Sequence, residues 1–320
     1  MKQETFQALS RCNSPPTHAN VTHFLSTLLP PCANDVQFLY HTPRHPSYDP
    51  TRIQASHIVL SISPTPGVYA ALQQRPPTAT DHNQPICILH RPWRLHRRAL
   101  PPSTLVLASH ASLDTYLTVG WNTTLASRLG LLSGTSSAAA CIQGYKGDAK
   151  RKIGLVAALR ADTPNNTLAT LTDAIKREFA GAGELYLPAG GGRESVRLES
   201  RITAVAIMSA FHAEEVERVL EAAAERGWIG DRRDGSGMLY LTGTAREHGL
   251  EAAAIANMPV VCVGHRPCEE WGMRYLAEKL REQWPELAVE EVSEDEEQPG
   301  PKKAGVVDEG VALSNDIDGM

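Results

Sequence analysis

The chain has 320 residues, 42% hydrophobic side chains and a formal net charge of −5 at pH 7, which supplies enough apolar material for one large domain or two ordinary ones. No apolar run reaches the roughly 18 residues that a membrane span needs, and the N-terminus lacks the apolar segment of a secretory signal. We therefore expect a cytoplasmic protein without membrane partners, and a location in the mitochondrion or the nucleus is left open. Residues 286–320 hold 11 acidic and 2 basic groups, and the remaining 29 basic against 25 acidic groups are too weak an excess for a dedicated nucleic-acid-binding protein.

Predicted strands and helices alternate along most of the chain. A short amphipathic stretch at residues 21–29 is the one helix expected in an otherwise irregular N-terminal region. Short runs of aliphatic residues predict strands at residues 58–63, 86–89, 105–108, 152–158, 202–208, 239–242 and 260–263. Helical spacing of apolar residues predicts helices at residues 68–74, 113–129, 168–179, 213–226, 245–256 and 269–283. The alternation predicts an α/β fold with a parallel or mixed sheet.

Four regions follow from this order of elements. Residues 1–55 are predicted to be the irregular N-terminal region. Residues 56–135 and 240–285 are expected to form one discontinuous, metal-bearing α/β domain, into which residues 140–240 are inserted as a second α/β domain. Residues 286–320 combine few apolar side chains with a block of like charge, so we predict a disordered acidic tail.

Histidines follow three of the predicted strands. They are His90, His110 and His265. Ligands of open α/β sheets bind outside the carboxyl ends of the strands, so these imidazoles can converge. His110 and His265 are each followed four residues later by a carboxylate, Asp114 and Glu269 respectively. Imidazole and carboxylate are the ligands expected for zinc, iron or manganese, and a carboxylate can bridge two ions, so the pattern predicts a site for one or two divalent ions.

The residues that follow His90 have two interpretations. Positions 91–98 contain four arginines and Trp93. Such a stretch is either a solvated, charged connector or the wall of a cavity for a phosphorylated ligand.

Several short blocks resemble the GTP cyclohydrolase 1 type 2-like family, also called the NGG-interacting-factor family. In chain order they are Leu-His-Arg-Pro at 89–92, His-Ala-Ser-Leu-Asp at 110–114, Gly-Trp-Asn at 120–122, Leu-Ala-Ser-Arg-Leu-Gly at 125–130, Leu-Thr-Gly at 241–243, and Gly-His at 264–265 leading to Glu269. Their order and spacing match the family from about residue 56 to residue 285. The resemblance implies a two-domain α/β fold, a ring-shaped homohexamer and a dinuclear metal centre that faces its interior.

By position, the resemblance assigns metal ligation to His90, Asp114, His265 and Glu269. It makes His110 a partner of these ligands or a catalytic general base.

This chain also departs from the family pattern. Leu89 stands where bacterial members have a further histidine ligand, and Thr244 follows Gly243 in place of the usual acidic residue. The N-terminal block of the family is not recognisable in residues 20–50. His248 is a weaker match to a histidine that often follows the Thr-Gly motif.

Together these features predict a metal-binding protein with two candidate functions. One is a metal-dependent hydrolase that acts on a nucleotide or another phosphorylated small molecule, with His110 as its catalytic residue. The other is a non-catalytic regulatory or protein-interaction factor that keeps the ion for structure.

Overall fold

A computed structural model describes residues 15–74, 76, 83–132, 139–159, 166–188 and 196–295. The strands are β1 (Leu39–His41), β2 (Gln54–Ser61), β3 (Asn83–Leu89), β4 (Leu105–Ala108), β5 (Ala140–Tyr145), β6 (Asp148–Ala158), β7 (Glu184–Tyr186), β8 (Ala204–Met208), β9 (Met238–Thr242), β10 (Val260–Cys262) and β11 (Ala288–Val292). The helices are α1 (His18–Leu28), α2 (Pro66–Gln73), α3 (Ala111–Tyr116), α4 (Thr123–Arg128), α5 (Leu168–Glu178), α6 (Ala213–Glu225), α7 (Glu247–Ile255) and α8 (His265–Gln283). The predicted α/β class with mixed sheets is confirmed. None of these described helices is both long and apolar enough to cross a membrane.

The first sheet has five strands in the order β1-β4-β3-β2-β11. All neighbours in it are parallel except β1, which pairs with β4 in the antiparallel sense. Every residue of β4 and all but the first of β2 are buried, which explains why these strands are continuous apolar runs in the sequence. Because β3 and β4 are parallel, the residues that follow them, His90 and Ser109-His110, emerge at the same edge of the sheet.

The second sheet has six strands in the order β5-β6-β8-β9-β10-β7. Strands β8, β9 and β10 are parallel, and the other pairings are antiparallel. Residues 240–285 are predicted to join the first domain, and strands β9 and β10 lie within this segment or at its start. In the structure both strands belong to the second sheet, because β9 pairs with β8 over four residues and β10 pairs with β9 in the same parallel sense. The division into two domains stays a prediction.

One apolar core connects the two sheets. It contains Ile58 of β2, Leu107 of β4, Leu155 of β6, Leu239 of β9 and Trp271 of α8. Helices α6 and α7 cover the other face of the second sheet, and α2 covers the other face of the first. Helix α8 contacts β2, β11 and α3. Glu269, near the start of this helix, lies 3.1 Å from His90 at the carboxyl edge of the first sheet.

Two elements differ from their predictions. The predicted helix at residues 113–129 is two helices, α3 and α4, because the chain turns back on itself at Gly120. A Cβ there would lie 2.6 Å from the carbonyl oxygen of Thr115, so the turn favours glycine. Asn122 then begins α4, because its side chain accepts the N–H of Leu125 at 2.8 Å.

Part of the predicted disordered tail, residues 286–320, is instead a strand. Strand β11 lies within it and pairs in parallel with β2 over five residues, since β2 would otherwise present an unpaired edge. Arg281 of α8 holds the strand through an ion pair of 2.8 Å with Glu291. The tail after residue 295 and the first 14 residues lie outside the described residues.

Candidate metal centre

His90 is the buried centre of the site. It follows β3, and its ring has no exposed surface. Its Nδ1 lies 3.0 Å from the carbonyl oxygen of Ser109, which can only accept, so Nδ1 carries the proton and donates. Nε2 then faces Oε1 of Glu269 at 3.1 Å and Oδ1 of Asp114 at 3.4 Å. Because Nε2 of a neutral ring carries a lone pair, this arrangement calls for a proton or a metal ion between the nitrogen and the oxygens.

His110 and Asp114 lie four residues apart at the start of α3 and face the same side. His110 Nε2 is 3.7 Å from Asp114 Oδ2, and its ring stacks on that of His90 with a centroid distance of 4.8 Å. One ligand atom from each of these three residues lies within 4.8 Å of the others. Burial lowers the pKa of His110, and the opposing effect of Asp114 is smaller, so the ring is neutral at pH 7. Neutral imidazole is the form that coordinates metal ions.

The first turn of α8 supplies the other half of the site. Gly264, with φ of +91°, makes the turn that starts this helix. His265 Nε2 is 3.3 Å from Glu269 Oε1, as the predicted spacing of four residues requires. The two side chains differ in exposure, 71% for His265 and 2% for Glu269. The hydrogen bond to Glu269 raises the pKa of His265.

Arg91 contacts both oxygens of Glu269. Its Nε donates to Oε1 at 3.0 Å, and its Nη2 donates to Oε2. Burial alone would raise the pKa of Glu269, but hydrogen bonds from His265 and Arg91 outweigh burial and hold the pKa of this carboxyl well below its usual range. Glu269 is therefore ionised at neutral pH.

Trp93 also belongs to the site. Its ring lies edge-on to His110 with a centroid distance of 4.9 Å, although its side chain is mostly exposed. The stretch at residues 91–98 therefore starts as part of the site wall and continues as an exposed connector. His248, the weaker family match, lies apart from this group, with an exposed side chain 3.6 Å from Glu251.

Asp35 is a site residue that the sequence did not indicate. Its carboxylate accepts the backbone N–H groups of His110 and Ala111 at 2.8 Å and that of Ser112 at 2.9 Å, so it caps α3 from a distance. These hydrogen bonds outweigh the effect of burial and lower the pKa of Asp35. The cap comes from about 75 residues earlier in the chain, so no local capping motif exists to be found.

The donor set of His90, His110 and Asp114 could bind a metal ion. Zinc bonds of about 2.0–2.2 Å to nitrogen and oxygen place two ligands of one ion roughly 3–3.5 Å apart, and His90 Nε2 lies 3.4 Å from Asp114 Oδ1. The bond from His90 Nδ1 to Ser109 is the orienting contact that metal-binding histidines usually have. Leu89 is buried in the apolar cluster under α2 and supplies no ligand.

A cavity of about 230 Å³ lies beside these residues. Its lining includes Asp114, Glu269, Tyr145, Arg151 and Arg246. The guanidinium of Arg151 lies 5.5 Å from the centroid of the Tyr145 ring. Arg151 and Arg246 both line the cavity, and neither forms an ion pair with another residue in the described part of the chain.

A larger cavity of about 520 Å³ lies at the amino ends of β2 and β3. Its lining includes His57, Gln84 and Pro101, and it lacks the carboxylate and arginine groups of the smaller cavity. The smaller cavity is therefore the one associated with the candidate metal centre.

Fold and site together define an α/β protein of two mixed sheets whose histidine and carboxylate side chains could bind a metal ion at the edge of the first sheet. The chain belongs to the Duf34/NIF3 (NGG1p interacting factor 3) family, whose model matches residues 94–299, more than half of the chain. This match confirms the resemblance seen in the sequence. Comparison with curated proteins gives no match.

Solved structures with low sequence identity share the fold. Protein SA1388 of Staphylococcus aureus has a TM-score of 0.54 and 14% identity, over 88% of this chain and 97% of that one. A Bacillus cereus protein related to NIF3 has a TM-score of 0.52 and 12% identity, over 88% and 98% of the two chains. Reduced HcgD from Methanocaldococcus jannaschii has a TM-score of 0.52 and 14% identity, over 86% and 97%. At these identities the similarity shows the fold alone.

Proposed function

We propose that this chain is a metal-dependent hydrolase that acts on a nucleotide or another phosphorylated small molecule. The observation that carries the proposal is the convergence of His90, His110 and Asp114, with one ligand atom of each within 4.8 Å of the others. A divalent ion bound there would supply Lewis-acid activation of water and of a phosphoryl oxygen.

The side chains of the site have distinct roles in this proposal. His90 is a rigid ligand, because it is buried and held by Ser109. Asp114 adds negative charge and is one-third exposed, so it can reach both an ion and a substrate. His110 is either the third ligand or, as a neutral imidazole, the base that takes a proton from the attacking water.

The cavity supports a small anionic substrate. Arg151 and Arg246 can pair with phosphate oxygens, a type of contact for which guanidinium is well suited. Its volume of about 230 Å³ is below the roughly 300–1,000 Å³ typical of sites for drug-sized ligands. A phosphoryl group with a small organic group, or the phosphate end of a nucleotide, therefore suits it better than a whole nucleoside triphosphate.

The proposal is tested by metal content and turnover in one set of variants. We expect the wild type, dialysed against manganese, zinc or iron(II), to retain metal and to hydrolyse a substrate in a panel of phosphoesters and nucleotides. Asp114→Asn should lose at least about tenfold in metal affinity and lose turnover, whereas Asp173→Asn, an exposed site on α5, should behave as wild type. Wild-type protein without bound metal under these conditions would contradict the proposal.

The variant His110→Ala separates the two roles of His110. Loss of metal together with turnover would assign it as a ligand. Retained metal with lost turnover would assign it as the general base.

A non-catalytic regulatory or interaction factor with a structural ion is the second candidate function. The pairing of Glu269 with Arg91 favours it, because that contact leaves fewer free carboxylate oxygens around an ion. Stable metal binding and a chelator-dependent fall in melting temperature, without turnover on any substrate of the panel, would support this alternative.

A further inference from the structure

The two carboxylates of the candidate metal centre differ in how their charge is compensated. Asp114 is 33% exposed and contacts only His90 and His110 among the ion pairs of the described residues. Glu269 is 2% exposed, and an ionised carboxylate so deeply buried is unfavourable unless a cation pairs with it. Arg91 is that cation, with its guanidinium on both oxygens.

Arg91 and His265 already contact the carboxylate of Glu269. Arg91 Nε donates to Oε1 at 3.0 Å and its Nη2 donates to Oε2, while His265 Nε2 lies 3.3 Å from Oε1. Each carboxylate oxygen offers about two acceptor positions, so the guanidinium takes one on each oxygen. A divalent ion on Glu269 would have to bind beside a guanidinium that does not lose its charge at any ordinary pH.

We propose that the guanidinium of Arg91 takes the place of a second metal ion, so that this chain binds one ion, at His90, His110 and Asp114. This inference rests on the proposed metal site and limits its stoichiometry, in contrast to the dinuclear centre that the family resemblance implies. Leu89, buried under α2 at the position of a family ligand, agrees with a single ion. Arg91 is then a fixed positive charge beside the ion, and it positions Glu269.

The inference is tested by counting the ions bound to the full-length chain. Titration calorimetry with manganese, supported by elemental analysis, should give one site in the wild type and in Arg98→Ala, which removes an exposed arginine seven positions away. Arg91→Ala and Arg91→Gln should each gain a second, weaker site on Glu269 and His265. Their first site should bind roughly tenfold more tightly or better, because a repelling charge is gone. Adding Glu269→Gln to Arg91→Gln should abolish the second site and leave the first.

Melting temperatures of the metal-free proteins show that the variants fold and report on the buried charge. Arg91→Gln should melt below the wild type because it removes the guanidinium from the buried carboxylate of Glu269, and Glu269→Gln in the same chain should restore part of the loss. Two sites in the wild type, or one site in folded Arg91→Gln, would overturn the inference while leaving a metal site in place. A wild type that binds no ion would refute the proposed function as well.

Discussion

Asp35 shows how a single remote side chain fixes the position of a candidate ligand. It binds three consecutive backbone N–H groups at the start of α3 and accepts the hydroxyl of Ser109 at 3.2 Å. His110 itself makes no capping hydrogen bond, so Asp35 is the cap of this helix among the described residues.

Replacing Asp35 should therefore affect both stability and the metal centre. We expect Asp35→Ala to lower the free energy of unfolding by about 1–3 kcal/mol and to weaken manganese binding roughly tenfold or more, because His110 loses its anchor. Asp35→Asn keeps an acceptor oxygen and should lose less. Urea denaturation and calorimetry measure the two effects, with Asp173→Ala as the matched control. Unchanged metal affinity in Asp35→Ala would show that α3 is held by its packing alone.

At the residue scale, the sequence predicted which groups meet but not what holds them. His90, His110 and His265 follow strands, and two of them precede a carboxylate by one helical turn, so a local pattern located all five side chains. Arg91 was ambiguous, because an arginine beside a histidine is usually solvated and only the fold brings Glu269 to it, 178 residues along the chain. Asp35 left no pattern for the same reason.

Helices α3 and α8 approach each other closely at Gly272, and this contact positions Asp114 relative to Glu269. A Cβ on Gly272 would lie 2.7 Å from the carbonyl oxygen of Leu117, which follows α3, and 3.1 Å from Cδ2 of Leu113. Because the nearest atom belongs to the backbone, the neighbour cannot move aside without shifting the end of α3.

We therefore expect Gly272→Ala to lower the free energy of unfolding by about 1–3 kcal/mol and to weaken metal binding, since α8 must move away from α3. Gly230→Ala is the control, because a Cβ there meets no atom within 4 Å. Thermal melting and manganese titration of both variants measure the difference. If Gly272→Ala is as stable as Gly230→Ala, the close approach does not set the helix position.

At the element scale, long or strongly apolar helices and strands were predictable from the sequence. Short strands that depend on pairing with a neighbouring strand were not. The runs that became β3, β4, β8 and β9 are buried on both faces, so their sequences are almost uninterrupted apolar stretches. Strands β1 and β7 have three residues each and depend on a neighbouring strand, which leaves too little sequence for a periodicity. Strand β11 is mostly exposed and acidic, so composition indicated a tail in its place.

Acid should destabilise the whole molecule through two buried histidines. His18 Nε2 donates to the carbonyl of Gln84 and His57 Nε2 to that of Ala71, while Nδ1 of each lies beside a hydroxyl group. Burial lowers the pKa of both rings below the usual 6.5, and the carbonyl contacts oppose it only partly. The unfolded chain therefore binds protons before the folded chain does.

The stability that neutral His18 and His57 contribute is fully present above pH 6.5. It is lost as the pH falls from 6.5 toward the lower pKa values of these two rings in the folded protein. Melting temperatures measured between pH 7.5 and pH 5 should fall, and His18→Gln and His57→Gln should each flatten that fall. If the melting temperature falls as steeply in both variants as in the wild type, other groups cause the loss of stability in acid.

The alternation of elements along the chain was enough to predict the α/β class, and family membership agrees with it. The arrangement of two sheets around a shared core could not be predicted in the same way. Strands β6, β8 and β9 place one set of side chains in that shared core and the other set under α6 and α7. A sequence in which both faces are apolar does not tell which neighbour each face will meet.

Strand β11 has a protective consequence. With it in place, the largely buried β2 has a hydrogen-bonded neighbour on each side. Without it, β2 would present a row of unsatisfied backbone donors and acceptors along an apolar strand, which is a template for pairing with another chain. The exposed glutamates of β11 give the sheet a charged outer border, and they discourage aggregation at an edge that would otherwise be adhesive.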